Sequence, residues 1–188
     1  MLIDNSIDRE ASLFKNILLA TDGSAHAKRA AAVAADIAAT YGARLTLMTV
    51  MSPFMMLDDV EAAPQARRLK SQAKNEMKRI YQMIPDSESD VNIHAYVPAL
   101  PSLTHALGVA ILDEAARAAI RRKIKPGKIT RIVVDGDAAT QILKQATKAK
   151  ASLIVMGTRG LSNFRGALIG GVSNKVIHSA KCATLVVK

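Results

Sequence analysis

Residues 16–50 read NILLATDGSAHAKRAAAVAADIAATYGARLTLMTV, and this stretch decides the fold class. Asn16–Ala20 is a short apolar run that stops at Thr21-Asp22-Gly23-Ser24. Ser24 is suited to cap a helix, and the alanine-rich run at 25–40 has high helix propensity. Tyr41-Gly42 ends that helix, and 44–50 (RLTLMTV) reads as a second strand. A strand, a helix and a strand joined by short connections make the repeating unit of a parallel sheet.

The same grammar returns after residue 100. The spacing predicts helices over 102–123, 137–150 and 171–180, with Pro126-Gly127 breaking the first. Strands are expected over 129–134 (ITRIVV), 152–156 (SLIVM) and 184–187. Strands alternating with helices imply an α/β fold with a doubly wound, five-stranded parallel sheet. Several strands are near-continuous apolar runs, as a sheet covered on both faces requires.

Residues 51–100 interrupt the rhythm. The run 51–57 (MSPFMML) is expected to be an apolar loop, because Pro53 removes a ladder donor. Residues 61–84 read as one amphipathic helix, with Ala66, Leu69, Ala73, Met77, Ile80 and Ile84 on one face. Arg67, Lys70, Lys74 and Lys78 form a basic stripe beside it. A polar turn at 85–90 (PDSESD) leads to 91–97 (VNIHAYV), which alternates like an edge strand. One helix and one short strand cannot bury a core alone, so 1–188 reads as one domain with an insertion at about 51–100.

Composition narrows the function classes. Hydrophobic residues make up 49% of the chain but aromatics only 3%, and Trp is absent, so the core must be built from Ala, Val, Ile, Leu and Met. No apolar run approaches the roughly 20 residues that span a bilayer, so no membrane association is expected. The first residues, MLIDNSIDREASLF, carry Asp4, Asp8 and Glu10 and lack a basic n-region, so no secretory signal is read there. The single cysteine, Cys182, leaves no intramolecular disulfide to form and fits a reducing compartment; the cytoplasm is the expected location. The net charge of +10 attracts polyanions and nucleotides alike. With so few aromatics to stack bases, and no zinc-finger or RNA-recognition motif, nucleic acid is not an expected partner.

Ligands of open α/β sheets bind beyond the carboxyl ends of the strands, where the winding changes direction. Two loops have that address: Thr21–Ser24, and the one inside VMGTRGLSNFRGALIGGVSNKV at 155–176. In the second, glycines let backbone N–H groups face an anion, and the chain then enters a helix N-terminus at 171–173. Phosphate is the natural ligand of such a loop. It is not a P-loop: Gly166 and Gly171 have the spacing, but Val172 stands where the Lys belongs, and G-x-G-x-x-G is absent. What stands is G-x2-G-x9-G at Gly157, Gly160 and Gly170. Arg159 and Arg165 are loop cations that a phosphate would attract, though loop arginines more often stay solvated. His26, His94, His105 and His178 are scattered, so no zinc site is expected, and no Ser-His-Asp order or paired carboxylates point to hydrolysis. Asp135 and Asp137 flank Gly136 in a turn where helix capping is the expected role.

That glycine spacing, with ATDGS at 20–24, IVMGTRG at 154–160 and KCATLVVK at 181–188, resembles the universal stress protein family. Its nucleotide-binding members carry G-x2-G-x9-G-[ST] after the fourth strand, and the resemblance covers the first fifty residues and roughly 102–188. It implies an adenine nucleotide alpha-hydrolase-like sheet ordered 3-2-1-4-5. It implies that Asp22, with Thr21 beside it, holds the ribose or the adenine edge, and that Val50 lines the adenine pocket. Met156, Gly157, Gly160 and Gly170 correspond to the loop that wraps the phosphates, which also holds Arg159. Val172 and Ser173 correspond to the helix start, with the Ser173 hydroxyl offered to phosphate. Gly171 stands where the family has Ser or Thr, which keeps the backbone donor but forgoes a hydroxyl bond of roughly 0.5–1.5 kcal/mol.

The ligand so implied is ATP, or AMP or ADP, with or without Mg2+, and the partner a second copy paired through the last strand, from Thr184 to Val187. The function implied is a stress-response regulator or sensor, since the missing Lys and general base argue against efficient phosphoryl transfer. The alternative is a nucleotide-free stress protein working as a protein or polyanion interaction module through its basic inserted helix. An enzyme that hydrolyses or transfers an adenylate, even slowly, is a third reading.

Overall fold

Strands buried on both faces must be apolar at odd and even positions alike, and three of these are. In the computed structural model, which describes residues 13–83, 98–160 and 169–188, β1 (Asn16–Ala20), β2 (Arg44–Met51), β3 (Ile129–Asp135), β4 (Leu153–Gly157) and β5 (Ala183–Val187) form one parallel sheet. Its order is β3-β2-β1-β4-β5, as the resemblance implies. Ile17, Leu19, Leu45, Leu47, Leu153 and Val155 point to one side, where α1 (Ala25–Tyr41) and α4 (Pro101–Arg121) cover them. Leu18, Met48, Ile154 and Met156 point to the other, against α5 (Ala138–Lys148) and α6 (Gly171–Ser179).

The fully buried residues of helix α1 are all alanine, Ala27, Ala30, Ala31, Ala34, Ala35 and Ala38, with Ile37 partly buried against the same core. With no large side chain fully buried between, the helix seats close to the strands, and the branched residues of the sheet fill the space. Ser24 accepts from the Ala27 amide as N-cap of α1, and Asp137 accepts from the Thr140 amide as N-cap of α5. The bonds from the Thr140 hydroxyl and amide hold the Asp137 carboxyl below the usual carboxylate range. The helix and strand bounds expected from the sequence hold to within about two residues, the usual fraying range of element ends.

The segment between β2 and α4 departs from the sequence reading in two ways. The strand does not stop at Val50: Met51 pairs with Asp135 and is buried, and Pro53 falls beyond the ladder, so only 52–56 form the loop. The helix expected over 61–84 is also broken. It is α2 (Leu57–Ala62), a single 3-10 turn at Ala66–Arg68, and α3 (Ser71–Met83). Pro64 accounts for the break, since proline has no N–H to give and its ring crowds the preceding turn. The apolar face survives it. Leu57, Val60, Leu69, Ala73 and Met77 pack with Leu103, Leu107, Ala110 and Ile111 of α4 in a second core. Helix α4 is thus buried on two sides. Arg67, Lys70, Lys74 and Lys78 of the basic stripe are all exposed. Ile84 and the expected edge strand at 91–97 lie outside the described residues.

Among the described residues no helix is long and apolar enough to cross a membrane. Cys182 is half-buried, and that burial pushes its thiol up from the ordinary value, away from reactivity.

This packing separates neighbours on the segment. Replacing Leu69, 5% exposed, by Ala should destabilise the protein by about 2–5 kcal/mol. Lys70→Ala, one residue on, should stay within about 0.5 kcal/mol. Chemical unfolding of both variants checks the contrast.

Candidate functional site

Strands β1 and β4 are neighbours, and the register Ala20↔Met156 makes their chains leave the sheet at the same level. From β1 the order runs outward through β2 to β3; from β4 it runs the other way, to β5. The loops after these two strands therefore diverge over a crevice at the switch point of the winding.

The first loop is fixed by its own short side chains. The Thr21 amide donates to the Met48 carbonyl at 2.9 Å, and Thr21 Oγ1 accepts from the Gly23 amide at 3.3 Å. Asp22 Oδ1 accepts from the Ser24 amide at 3.0 Å. The other carboxylate oxygen faces the second loop so closely that a Cβ on Gly160 would stand 2.6 Å from Asp22 Oδ2. Only glycine leaves both in place.

The second loop is clamped at its neck. The Gly170 amide donates to the Thr158 carbonyl at 2.7 Å, and the Ser173 hydroxyl donates to the Gly157 carbonyl at 2.9 Å. Thr158, 4% exposed, also donates its amide to Val187 at 2.8 Å and its Oγ1 lies 2.7 Å from His26 Nδ1. Gly170 is the N-cap of α6 and no side chain caps it, so the first amides of that helix open toward the crevice.

All eleven residues singled out from the sequence line one cavity of about 430 Å³. Thr21 and Asp22 come from the first loop and Val50 from the end of β2; Met156 and Gly157 close β4. Arg159, Gly160, Gly170, Gly171, Val172 and Ser173 complete it. One role changes. The Ser173 hydroxyl, expected to face phosphate, gives its hydrogen to the Gly157 carbonyl and holds the loop instead. Arg165 lies outside the described residues. Ser52, Ala138 and Ile142 also line the cavity and had not stood out, since nothing in the sequence marks a lone loop serine or an apolar residue on a helix face as a site wall.

Three further residues shape the site without sequence warning. Thr158 and His26 join the second loop to α1, and Gln65 reaches the first loop from the segment beyond β2. The Gln65 amide donates to the Gly23 carbonyl and to Glu114 Oε2, whose carboxylate also meets Lys28 at 3.3 Å and Arg68 at 3.6 Å. Burial pushes the Glu114 carboxyl up, but the hydrogen bonds from Gln65 and Lys28 and the charges of Lys28 and Arg68 outweigh it and hold it below its ordinary value. Among the described residues, no group of three His, Cys, Asp or Glu could hold a metal ion.

The universal stress protein family model matches residues 13–188, a span that runs through the segment between β2 and α4. A universal stress protein of Thermus aquaticus is 31% identical over 186 residues, covering 94% of this chain and 100% of its own length. One of Methanocaldococcus jannaschii is 30% identical over 189 residues, covering 98% of this chain and 88% of its own. Among solved structures, that of a universal stress protein in complex with cAMP is similar at 25% identity with a TM-score of 0.59, covering 94% of this chain and 99% of its own.

Glu114 gives the site a pH signature. A carboxylate whose folded value is depressed contributes stability that is present above its unfolded value and lost as pH falls through the folded one. Wild-type stability should therefore fall as pH drops below 4.5, the ordinary value. Glu114→Gln should be less stable at neutral pH and flatter over that acid range. Urea unfolding followed from neutral pH downward checks both.

Proposed function

Because the chain belongs to the universal stress protein family, we propose that it binds an adenine nucleotide in this crevice and acts as a stress-response regulator rather than a catalyst. The observation that carries the reading is the convergence of both loops on one cavity at the switch point of the sheet. Its volume falls within the range of small-molecule sites, about 300–1,000 Å³. The solved relative in complex with cAMP supports the ligand class.

In this reading Val50, Ala138 and Ile142 form the apolar wall for the adenine ring, and Asp22 Oδ2 accepts from a ribose hydroxyl. The phosphates meet the amides of Gly157–Gly160 and of the first turn of α6, where several donors and the helix dipole act together. ATP is the leading ligand, with AMP and ADP sharing its contacts. Mg2+ would arrive on the phosphates and offset their repulsion from Asp22. Two features support regulation over catalysis: Val172 stands where a P-loop has its Lys, and the Ser173 hydroxyl is bonded to backbone.

Equilibrium dialysis with labelled ATP, AMP and cAMP tests this. Saturable binding is expected, and Asp22→Ala should weaken it by about tenfold or more, the scale of a lost hydrogen bond to a charged group. No saturable uptake by the wild-type chain would retire the proposal. A gain of function sharpens it: among the described residues nothing stands within 4 Å of where a Gly171 Cβ would lie. Gly171→Ser fits there and should raise affinity about two- to tenfold.

We further propose that β5 pairs with the β5 of a second copy. It is an edge strand, bonded to β4 on one side, and its residues 184–187 are half-buried. An apolar edge left open is a template for strand addition. Light scattering should give the dimer mass; a monomer at micromolar concentration would refute the pairing.

A further inference from the structure

Gln65 is polar, lies beyond β2 in the chain, and is only 1% exposed. A carboxamide in such a place costs stability unless its hydrogens are taken. Both are. One goes to the Gly23 carbonyl at 3.3 Å and the other to Glu114 Oε2 at 2.9 Å. The remaining Glu114 oxygen is held by Lys28 from α1 and Arg68 from the 3-10 turn. The contact with the loop is also steric: Gly23 sits at φ +79°, and a Cβ there would come within 2.8 Å of the carboxamide. Its backbone lies directly on Gln65.

The bonds inside the first loop set its shape, but they run between Thr21, Asp22, Gly23 and Ser24 and do not fix it against α4. The Gln65 bridge does. Asp22 is the residue before Gly23, so a shift of the Gly23 peptide swings the carboxylate that faces Gly160.

We propose that Gln65 is a positioning residue for the nucleotide site: its carboxamide latches the Gly23 carbonyl to Glu114 and so aims Asp22 at the phosphate loop. The inference rests on the nucleotide reading above. It makes the segment between β2 and α4 part of the binding machinery. By linkage, whatever displaces that segment lowers nucleotide affinity, and bound nucleotide resists the displacement.

Three variants of the full chain test it: Gln65→Met, Gln65→Glu, and Gln65→Glu combined with Glu114→Gln. Each is measured by calorimetric titration with ATP, by Tm, and by amide hydrogen exchange of residues 21–27 without nucleotide. Methionine fills the space without a donor, so Gln65→Met should bind ATP about three- to tenfold more weakly, with faster exchange in the loop. Gln65→Glu sets two carboxylates against each other and should lose both affinity and Tm. The double variant restores an acid–amide bridge between 65 and 114 and should recover Tm. It leaves the Gly23 carbonyl without its donor, so ATP affinity should stay low. A merely structural Gln65 would recover both together.

Wild-type ATP affinity and loop exchange in Gln65→Met, or wild-type affinity in the double variant, would overturn the proposal. Should Gln65→Glu fail to fold, Gln65→Met carries the test alone. If the wild-type chain takes up no ATP, the nucleotide reading falls; faster loop exchange in Gln65→Met would then uphold the latch, and unchanged exchange would remove it.

Discussion

The pairing of β1 with β4 is the contact on which the rest of the structure depends. It joins parts of the chain separated by two strands and five α-helices, and it sets Leu19 beside Val155 and Ala20 beside Met156. Every other pair in the sheet could form without creating a crevice. This one creates it, because the chain winds away from it in opposite directions and no helix crosses the gap above it. Polarity alone does not fix its register. Both faces of β1 and β4 are apolar, so a one-residue slip would exchange one apolar set for the other. Volume makes the choice. The face toward α1 presents Ile17, Leu19, Leu153 and Val155 to a helix whose buried residues are all alanine, and large opposite small fills the layer.

That division between pattern and volume explains what could be read from the sequence. Apolar runs, caps and breakers are local, and Asn16–Ala20, Ser24, Gly42 and Asp137 declared their elements without any knowledge of the fold. The segment after β2 misled for the opposite reason. A helical wheel tests whether apolar residues share a face, and Leu69, Ala73 and Met77 do, because all three rest on α4. The wheel is blind to a break that preserves the face. Pro64 was the cue, and its lost N–H outweighs a periodicity that tertiary packing alone maintains. Met51 is the milder case: strand pairing continued one residue past the expected end because β3 was long enough to accompany it.

The site was legible where its residues lie in the two loops and illegible where other elements buttress them. Glycines at a strand end and a helix start carry a local signature, so Gly157, Gly160 and Gly170 could be singled out. Thr158 with His26, and Gln65 with Gly23, are bonds between residues remote in sequence. A buried glutamine has no periodicity and no motif. Its reason for being there, two acceptors that take the hydrogens of its buried carboxamide, exists only once the chain has folded.

The use of Ser173 bears on how such a site can discriminate. Its hydroxyl is tied to Gly157, and Gly171 supplies no hydroxyl, so among the described residues this end of the crevice offers backbone amides beside Arg159. Backbone donors read negative charge and shape, and they serve a monophosphate, a cyclic phosphate or a triphosphate in turn. On the proposed function, selectivity for the nucleoside must then come from the opposite end, from the apolar wall at Val50 and the single carboxylate of Asp22. A hydrogen bond from a ribose hydroxyl to one oxygen is directional, and it weakens steeply as the angle departs from the line of the donor. The strength of that end therefore rests less on the presence of Asp22 than on how firmly the Gly23–Ser24 peptide, whose N–H donates to Asp22 Oδ1, is held. Gln65 grips the carbonyl of that peptide.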